Sequence, residues 1–236
     1  MAIPGASLWT QLLSVFFPQR CVHCGVYGEP LCPGCRGQLK PLGPKICRRC
    51  GKPSLHDVSD CPECRRRRLY FGSATAAFSY GGPARSLVHG LKYRGLSRLA
   101  PLMADLSARD PRLTELNGEV TLTYVPMHRS KQFSRGYNQA QLYARALARR
   151  LELPLAELLV KLTPTTPQNR LNFIDRGKNL SNSFAIHGGY TCKTGRVLLI
   201  DDVFTTGATV SECSRILTSR LEVEVDVWTF ARTVKD

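Results

Sequence analysis

Ten cysteines and one pair of adjacent aspartates are the residues of this 236-residue chain whose types and spacing point to chemistry. Eight of the cysteines form four Cys-x2-Cys pairs: Cys21 with Cys24, Cys32 with Cys35, Cys47 with Cys50, and Cys61 with Cys64. A Cys-x2-Cys turn lets two sulfurs reach one ion at about 2.3 Å, and two such turns complete the tetrahedron that zinc prefers. Two four-thiolate zinc sites are therefore expected. Sequential sites are favoured, Cys21, Cys24, Cys32 and Cys35 followed by Cys47, Cys50, Cys61 and Cys64, with interleaved pairing as the alternative. The other metal that the pattern admits is an iron–sulfur cluster. His23 and His56 lie nearby, but four cysteines already fill each site, so both read as bystanders. Cys192 and Cys213 lie outside the paired set. Cys213 falls on the apolar face of a helical segment, neither has an evident base, and neither reads as a nucleophile.

The aspartates sit in "VLLIDDVFTTGATV", Val197–Val210. Val197–Ile200 is apolar throughout, as in a strand buried on both faces. Asp201 and Asp202 stand where that strand is expected to end, the place where ligands bind in open α/β sheets. Two ionised carboxylates side by side repel, so they make a poor buried structural pair unless something binds them. A vicinal diol offers two donors to such acceptors. Thr205, Thr206, Gly207, Ala208 and Thr209 then present backbone N–H groups and hydroxyls at a helix N-terminus, with Gly207 permitting close approach, which describes a phosphate cradle. Diol acceptors followed by a phosphate cradle describe a site for a ribose 5-phosphate.

The elements that must hold these residues divide at about residue 68. Residues 1–68 carry the Cys-x2-Cys pairs with many Pro and Gly and few long apolar segments, so this part needs metal to hold its fold. Its one apolar run, Gln11–Phe17, is too short to span a bilayer, lacks the flanks of a signal peptide, and reads as a short helix packed on the body. Reduced thiols used for metal then place the protein in the cytoplasm. Residues 69–236 alternate strands and helices: Ala74–Tyr80 a strand, Ala84–Tyr93 a helix, Thr121–Val125 a strand, Asn138–Leu151 a helix, Val197–Ile200 a strand, a helix with Val210, Cys213 and Leu217 on one face, and Val223–Phe230 a strand that ends the sheet. Such alternation implies an α/β fold with a largely parallel sheet flanked by helices, beside a small zinc-ribbon module.

The formal net charge is +15. Two four-thiolate zinc sites, each about −2, leave about +11. That balance suits an anionic partner such as nucleic acid, a phosphorylated metabolite or an acidic membrane surface. Arg48, Arg49, Lys52 and the run Arg65, Arg66, Arg67 and Arg68 cluster around the cysteine pairs and are nucleic-acid candidates, as are Lys92 and Arg94, which could instead touch the ligand.

The stretch Val197–Thr209 resembles the signature of type I phosphoribosyltransferases, which bind phosphoribosyl pyrophosphate (PRPP) with magnesium. That resemblance implies that Asp201 and Asp202 hold the ribose hydroxyls and that Thr205–Thr209 hold the 5-phosphate. No GxxxxGK[ST] motif occurs, which disfavours a Walker-type nucleotide site. With the cysteine pairs included, the whole chain resembles the ComF family, which joins a double zinc ribbon to a phosphoribosyltransferase domain. "LKYRG" (Leu91–Gly95), "VPMHRSKQFSRGYNQA" (Val125–Ala140) and "TPQNRLNFIDRGKNLSNSF" (Thr166–Phe184) fit as well. The second, with Arg129, Lys131, Arg135 and Gly136, reads as a pyrophosphate loop, and the third, with Gln168, Arg170, Arg176, Lys178 and Asn179, as a lid. The resemblance implies a role in natural competence, with DNA, single-stranded or branched, and proteins of the uptake machinery as partners. A salvage phosphoribosyltransferase and a non-catalytic PRPP sensor are the competing readings, because no residue names an acceptor.

Overall fold

The computed structural model describes residues 19–116, 119–163, 183–188, 192 and 194–234. The apolar run Gln11–Phe17 and the proposed lid residues Gln168, Arg170, Arg176, Lys178 and Asn179 lie outside them. Two single-turn helices, α1 (Pro33–Arg36) and α2 (Pro62–Arg65), each begin just after a cysteine of a Cys-x2-Cys pair and carry its second cysteine. A proline opens each, where a missing N–H costs nothing. Then follow β1 (Ala74–Ser79), α3 (Gly82–Tyr93), α4 (Leu99–Ser107), α5 (Pro111–Thr114), β2 (Val120–Tyr124), α6 (Arg129–Arg135), α7 (Gln139–Leu151), β3 (Leu159–Lys161), β4 (Phe184–Ile186), β5 (Arg196–Phe204), α8 (Ala208–Leu221) and β6 (Glu224–Arg232).

Four strands make one sheet in the order β1-β6-β5-β2, with every neighbouring pair parallel. β6, the last strand of the chain, does not end the sheet as expected: it lies between β1 and β5, because α8 returns the chain beside β5 and leaves β1 to take the outer place. The apolar residues of β5 alternate between two cores, as side chains of period two must. Leu198 and Ile200 join α3, α4 and α7 on one face, and Val197 and Leu199 join α8 and the antiparallel β3–β4 pair on the other.

Neither cysteine cluster has a core of its own. Cys21 and Cys35 belong to the first of these apolar clusters, while Cys47, Cys50, Cys61 and Cys64 belong to the second. The connecting stretch runs along the outer edge of β1, with Ser79 donating its N–H to Lys40 O at 2.8 Å and Leu42 to Ala77 O at 3.2 Å. This covers a strand edge that would otherwise present unpaired backbone groups.

Candidate functional site

Each of the two cysteine groups brings four sulfurs within 4.8 Å of one another, and the groups are the sequential ones. A tetrahedron with 2.3 Å metal–sulfur bonds has sulfur–sulfur edges of about 3.8 Å. The edges found are 3.7 Å for Cys24–Cys32, 3.9 Å for Cys47–Cys64, 3.8 Å for Cys50–Cys61 and 3.6 Å for Cys61–Cys64. Backbone donors favour thiolate character: Cys61 donates its N–H to Cys47 Sγ at 3.2 Å. Burial works against it at Cys21, yet N–H groups of Cys24, Cys32 and His23 bring that pKa down to about 6, whereas burial pushes the Cys50 thiol up to about 11 in the absence of a metal's charge. A third observation points the same way. Arg232, only 4% exposed, donates from Nη2 to Cys50 Sγ at 3.5 Å and from Nη1 to Cys50 O. A guanidinium buried this deeply needs an anion beside it, and a metal-bound thiolate supplies one. The donor set and its geometry fit zinc at both sites. His23 Nδ1 lies 2.9 Å from Ser86 Oγ and is no part of the first sulfur set.

The diacid lies inside β5 rather than after it, because β5 runs on to Phe204. Strand alternation places Asp202 on the face of Leu198 and Ile200, toward α3, where Lys92 Nζ meets its Oδ2 at 2.5 Å. Asp202 is 2% exposed, and apart from that ion pair its Oδ2 has no hydrogen-bond partner among the described residues. Burial and the neighbouring Asp202 charge push the Asp201 pKa well above the ordinary carboxylate range, with Lys92 opposing them. Despite the cost of its own burial, Asp202 and Asp201 hold the Lys92 ammonium above its usual value.

Gly207 turns the chain into α8 with φ +80°, a left-handed conformation open to glycine. A Cβ there would come within 2.6 Å of the Phe204 ring. Thr206 Oγ1 accepts the Ala208 N–H at 3.4 Å, and Arg67 Nη1 donates to Thr206 O at the same distance.

Asp201, Asp202, Thr205 and Thr209 line one cleft of about 390 Å³ together with Lys92, Lys131 and Lys161, and with Tyr80, His128, Ser130, Asn138 and Gln139. The Lys131 pKa is lowered by burial and by the charges of Arg135 and Lys92, and that of Lys161 by burial and Lys131. Three lysines and two carboxylates thus share the cleft, with Lys92 already paired to Asp202. Asn138 caps α7, accepting the Ala140 N–H at 3.0 Å and donating to Val125 O at 3.0 Å, which ties the end of β2 to the start of α7. His128 caps α6 in the same way through Ser130 N.

The other sequence candidates are distributed more widely. The stretch holding Arg129, Lys131 and Arg135 is the helix α6, closed by Gly136 at φ +85°. Arg135 stacks 5.4 Å over the Tyr93 ring and bonds Gln139. Arg129 and Gly136 line a second cleft of about 1050 Å³, which shares Pro126, Met127, His128, Asn138 and Lys161 with the first. Arg176 lies outside the described residues. Among the nucleic-acid candidates, Arg48 pairs with Asp57 at 2.5 Å and Lys52 with Glu63 at 2.7 Å. Arg49 bonds Gly72 O at 3.1 Å, while Arg65, Arg66, Arg68 and Arg94 are exposed. Lys92 belongs to the cleft. Lys161 and Arg232 escaped the reading from sequence: Lys161 sits on a three-residue strand with no motif around it, and the one signal for Arg232 is a charged residue continuing a buried strand. Cys213 is fully buried on α8, and burial together with Asp201 pushes its thiol pKa up, so it is inert core.

An all-parallel sheet with a diacid strand, a left-handed turn into a helix and two cysteine-rich ribbons defines a zinc-ribbon protein of the type I phosphoribosyltransferase-like class. Residues 12–65 match the double zinc ribbon domain family. The chain is 30% identical over 227 residues to Competence protein F of Haemophilus influenzae, covering 92% of this chain and 98% of that protein. It is 29% identical to the DNA utilization protein YhgH of Escherichia coli K12, over 80% and 85% of the two chains. The adenine phosphoribosyltransferase structure from Thermoanaerobacter pseudethanolicus aligns over 61% of this chain and 72% of that one, at 16% identity and a TM-score of 0.35. The protein belongs to the ComF competence-protein family. Among the described residues, no helix is long and apolar enough to cross a membrane.

Proposed function

We propose that the diacid cleft binds PRPP with magnesium, and that the protein acts with DNA in natural competence. The observation that carries this reading is the convergence, in one cleft, of Asp201 and Asp202, of Thr205 and Thr209 at the two ends of the turn, and of Lys92, Lys131 and Lys161. The carboxylates suit the ribose hydroxyls, and the turn suits the 5-phosphate. Lys131 and Lys161, crowded and desolvated, suit a polyanion that relieves their mutual repulsion, which fits pyrophosphate. Magnesium would arrive with the ligand and offset its charge. In a transfer reaction these groups orient the anomeric carbon and stabilise the departing pyrophosphate, and little covalent help is required.

Calorimetry of PRPP–Mg binding tests the reading. Wild type is expected to bind, with at least tenfold weakening in Asp202→Ala and in Thr206→Pro; equal affinity in all three would sink it. Partnership with DNA rests on the competence and DNA-utilization relatives and on exposed Arg65, Arg66 and Arg68 beside the second ribbon. Binding to single-stranded DNA should weaken steeply with salt, and replacing all three arginines by alanine should flatten the log–log slope by about two. Turnover is the second reading, favoured by the 1050 Å³ cleft that opens onto the first and leaves room for an acceptor. Pyrophosphate release dependent on an added base or amine would establish it.

A further inference from the structure

The second cysteine cluster and the phosphate turn meet through one buried side chain. Arg232 ends β6, and its guanidinium bonds both Cys50 O and Cys50 Sγ. The same guanidinium lies 4.4 Å over the Phe204 ring. Phe204 is the ring against which Gly207 packs, with no room for a Cβ. The residue after Arg232 adds a strap, since Thr233 donates its N–H to Phe204 O at 3.0 Å. A second connection runs outside the core. Arg67, three residues after Cys64, reaches Thr206 O, and Tyr70 donates its N–H to Ser211 Oγ at 3.3 Å in the first turn of α8. The knuckle itself is wedged against the sheet: Gly51, at φ +69°, lies so close to β1 that a Cβ would stand 2.6 Å from Ala74 O.

We propose that Arg232 is a positioning residue that couples the second cysteine cluster to the phosphate turn through Phe204, so that metal at that cluster sets the shape of the turn. The physical reason is charge. Four thiolates around one zinc ion carry a net negative charge in a buried place, and Arg232 is the deeply buried cation that faces it, with Lys52 at the more exposed side. With the metal bound, the guanidinium is held at Cys50 and Phe204 is clamped beneath Gly207. Without it, the anion that justifies burying Arg232 is lost, and the clamp on Phe204 loosens. Coupling is reciprocal by thermodynamic necessity. A ligand that orders the turn must therefore hold the metal of this cluster more firmly and leave the other cluster unaffected. The ligand half rests on the PRPP reading given above; the link between metal and turn does not.

The test uses full-length, zinc-loaded protein, with Arg232→Met, Arg232→Lys and Arg67→Gln as variants. Zinc release to a colorimetric chelator should show a fast phase from the cluster containing exposed Cys24 and a slow phase from the buried cluster. Arg232→Met should speed the slow phase at least tenfold and leave the fast phase unchanged. Arg232→Lys, which keeps the charge but not the forked donor, should fall between. Without any ligand, amide hydrogen exchange over residues 204–211 should rise at least tenfold in Arg232→Met and about threefold in Arg67→Gln. Arg67→Gln removes a connection outside the core; Arg232→Lys remains informative should Arg232→Met fail to fold. Saturating PRPP–Mg should slow only the slow zinc phase in wild type, and this protection should vanish in Arg232→Met. Unchanged exchange at the turn in a folded Arg232→Met, or in Arg232→Lys if Arg232→Met is unfolded, overturns the proposal, whatever zinc does. Failure of wild type to bind PRPP–Mg, with the exchange differences intact, removes the ligand reading and leaves the coupling standing.

Discussion

The two cysteine clusters share a motif and a geometry but not an environment. In the first, Cys24 is exposed and Cys32 half-buried; in the second, all four cysteines are buried. The first braces α3 from its rim. His23 meets Ser86 of that helix, and Val22 packs so closely on Gly90 that a Cβ there would lie 3.0 Å from its methyl and 2.6 Å from Leu99. The second is part of the core beneath the Gly207 turn, with Arg232 for a counter-charge. The cleft is assembled between them: Lys92 comes from the helix that the first supports, and Asp202 and the turn from the strand that the second supports. A metal knuckle thus acquires its role from what it is packed against. A rim site steadies one helix, whereas a core site takes part in the geometry of a loop.

Breaking the core cluster should have the largest effect. Cys50→Ser removes a ligand from a buried site, and structural zinc contributes on the order of 10 kcal/mol, comparable with the stability of a whole domain. It is expected to prevent folding, read as loss of a cooperative thermal transition, whereas Cys24→Ser at the rim should keep the fold, with a lower Tm and one zinc per chain. The next effect is at the joint between the halves. Lys92→Met leaves the Asp202 carboxylate buried without its cation and should cost about 3 kcal/mol by denaturant unfolding, with recovery in the Lys92→Met, Asp202→Asn double variant.

Two glycines show the same contrast at smaller scale. Gly207→Ala faces both a left-handed φ and an aromatic ring, and should cost about 2 kcal/mol together with ligand binding. Gly90→Ala, on a normal helix, meets side-chain ends that can shift, and should cost about 1 kcal/mol and spare binding. The smallest effect is that of pH. The Asp201 pKa is raised on folding, so the native state holds a proton that the unfolded chain releases. Stability should therefore fall as pH rises from the ordinary carboxylate range through the raised value. Asp201→Asn should flatten that slope and be more stable than wild type at neutral pH, read from Tm against pH.

Much of the parallel sheet was legible because β-favouring stretches end at Gly or Pro breakers and β5 starts as an apolar run: Ala74–Ser79, Val120–Tyr124 and the start of β5 fall within a residue of the expected places. The short pieces were not. β3 and β4 have three residues each and gain their stability from pairing with one another and from α8. The inner place of β6 was hidden too, since strand order depends on how helices pack rather than on any local pattern. In the candidate site, the diacid and the turn lie within nine residues of sequence and were read together. Lys161 and Arg232 were not, because a single charged residue on a strand carries no local signal of what it faces.

Two patterns stand in the sequence alone: thiolates at metal spacing, and carboxylates followed by a turn of small residues. Those properties are local, set by the reach of a few consecutive residues, so they survive without knowledge of the fold. Which cluster is buried, which lysine answers Asp202, and how the metal knuckle meets the turn follow from the folded packing. These contacts join residues far apart in the chain, 139 positions between Arg67 and Thr206 and 182 between Cys50 and Arg232. Charge and burial act through distance in space, and the packing of the two cores on the sheet sets that distance.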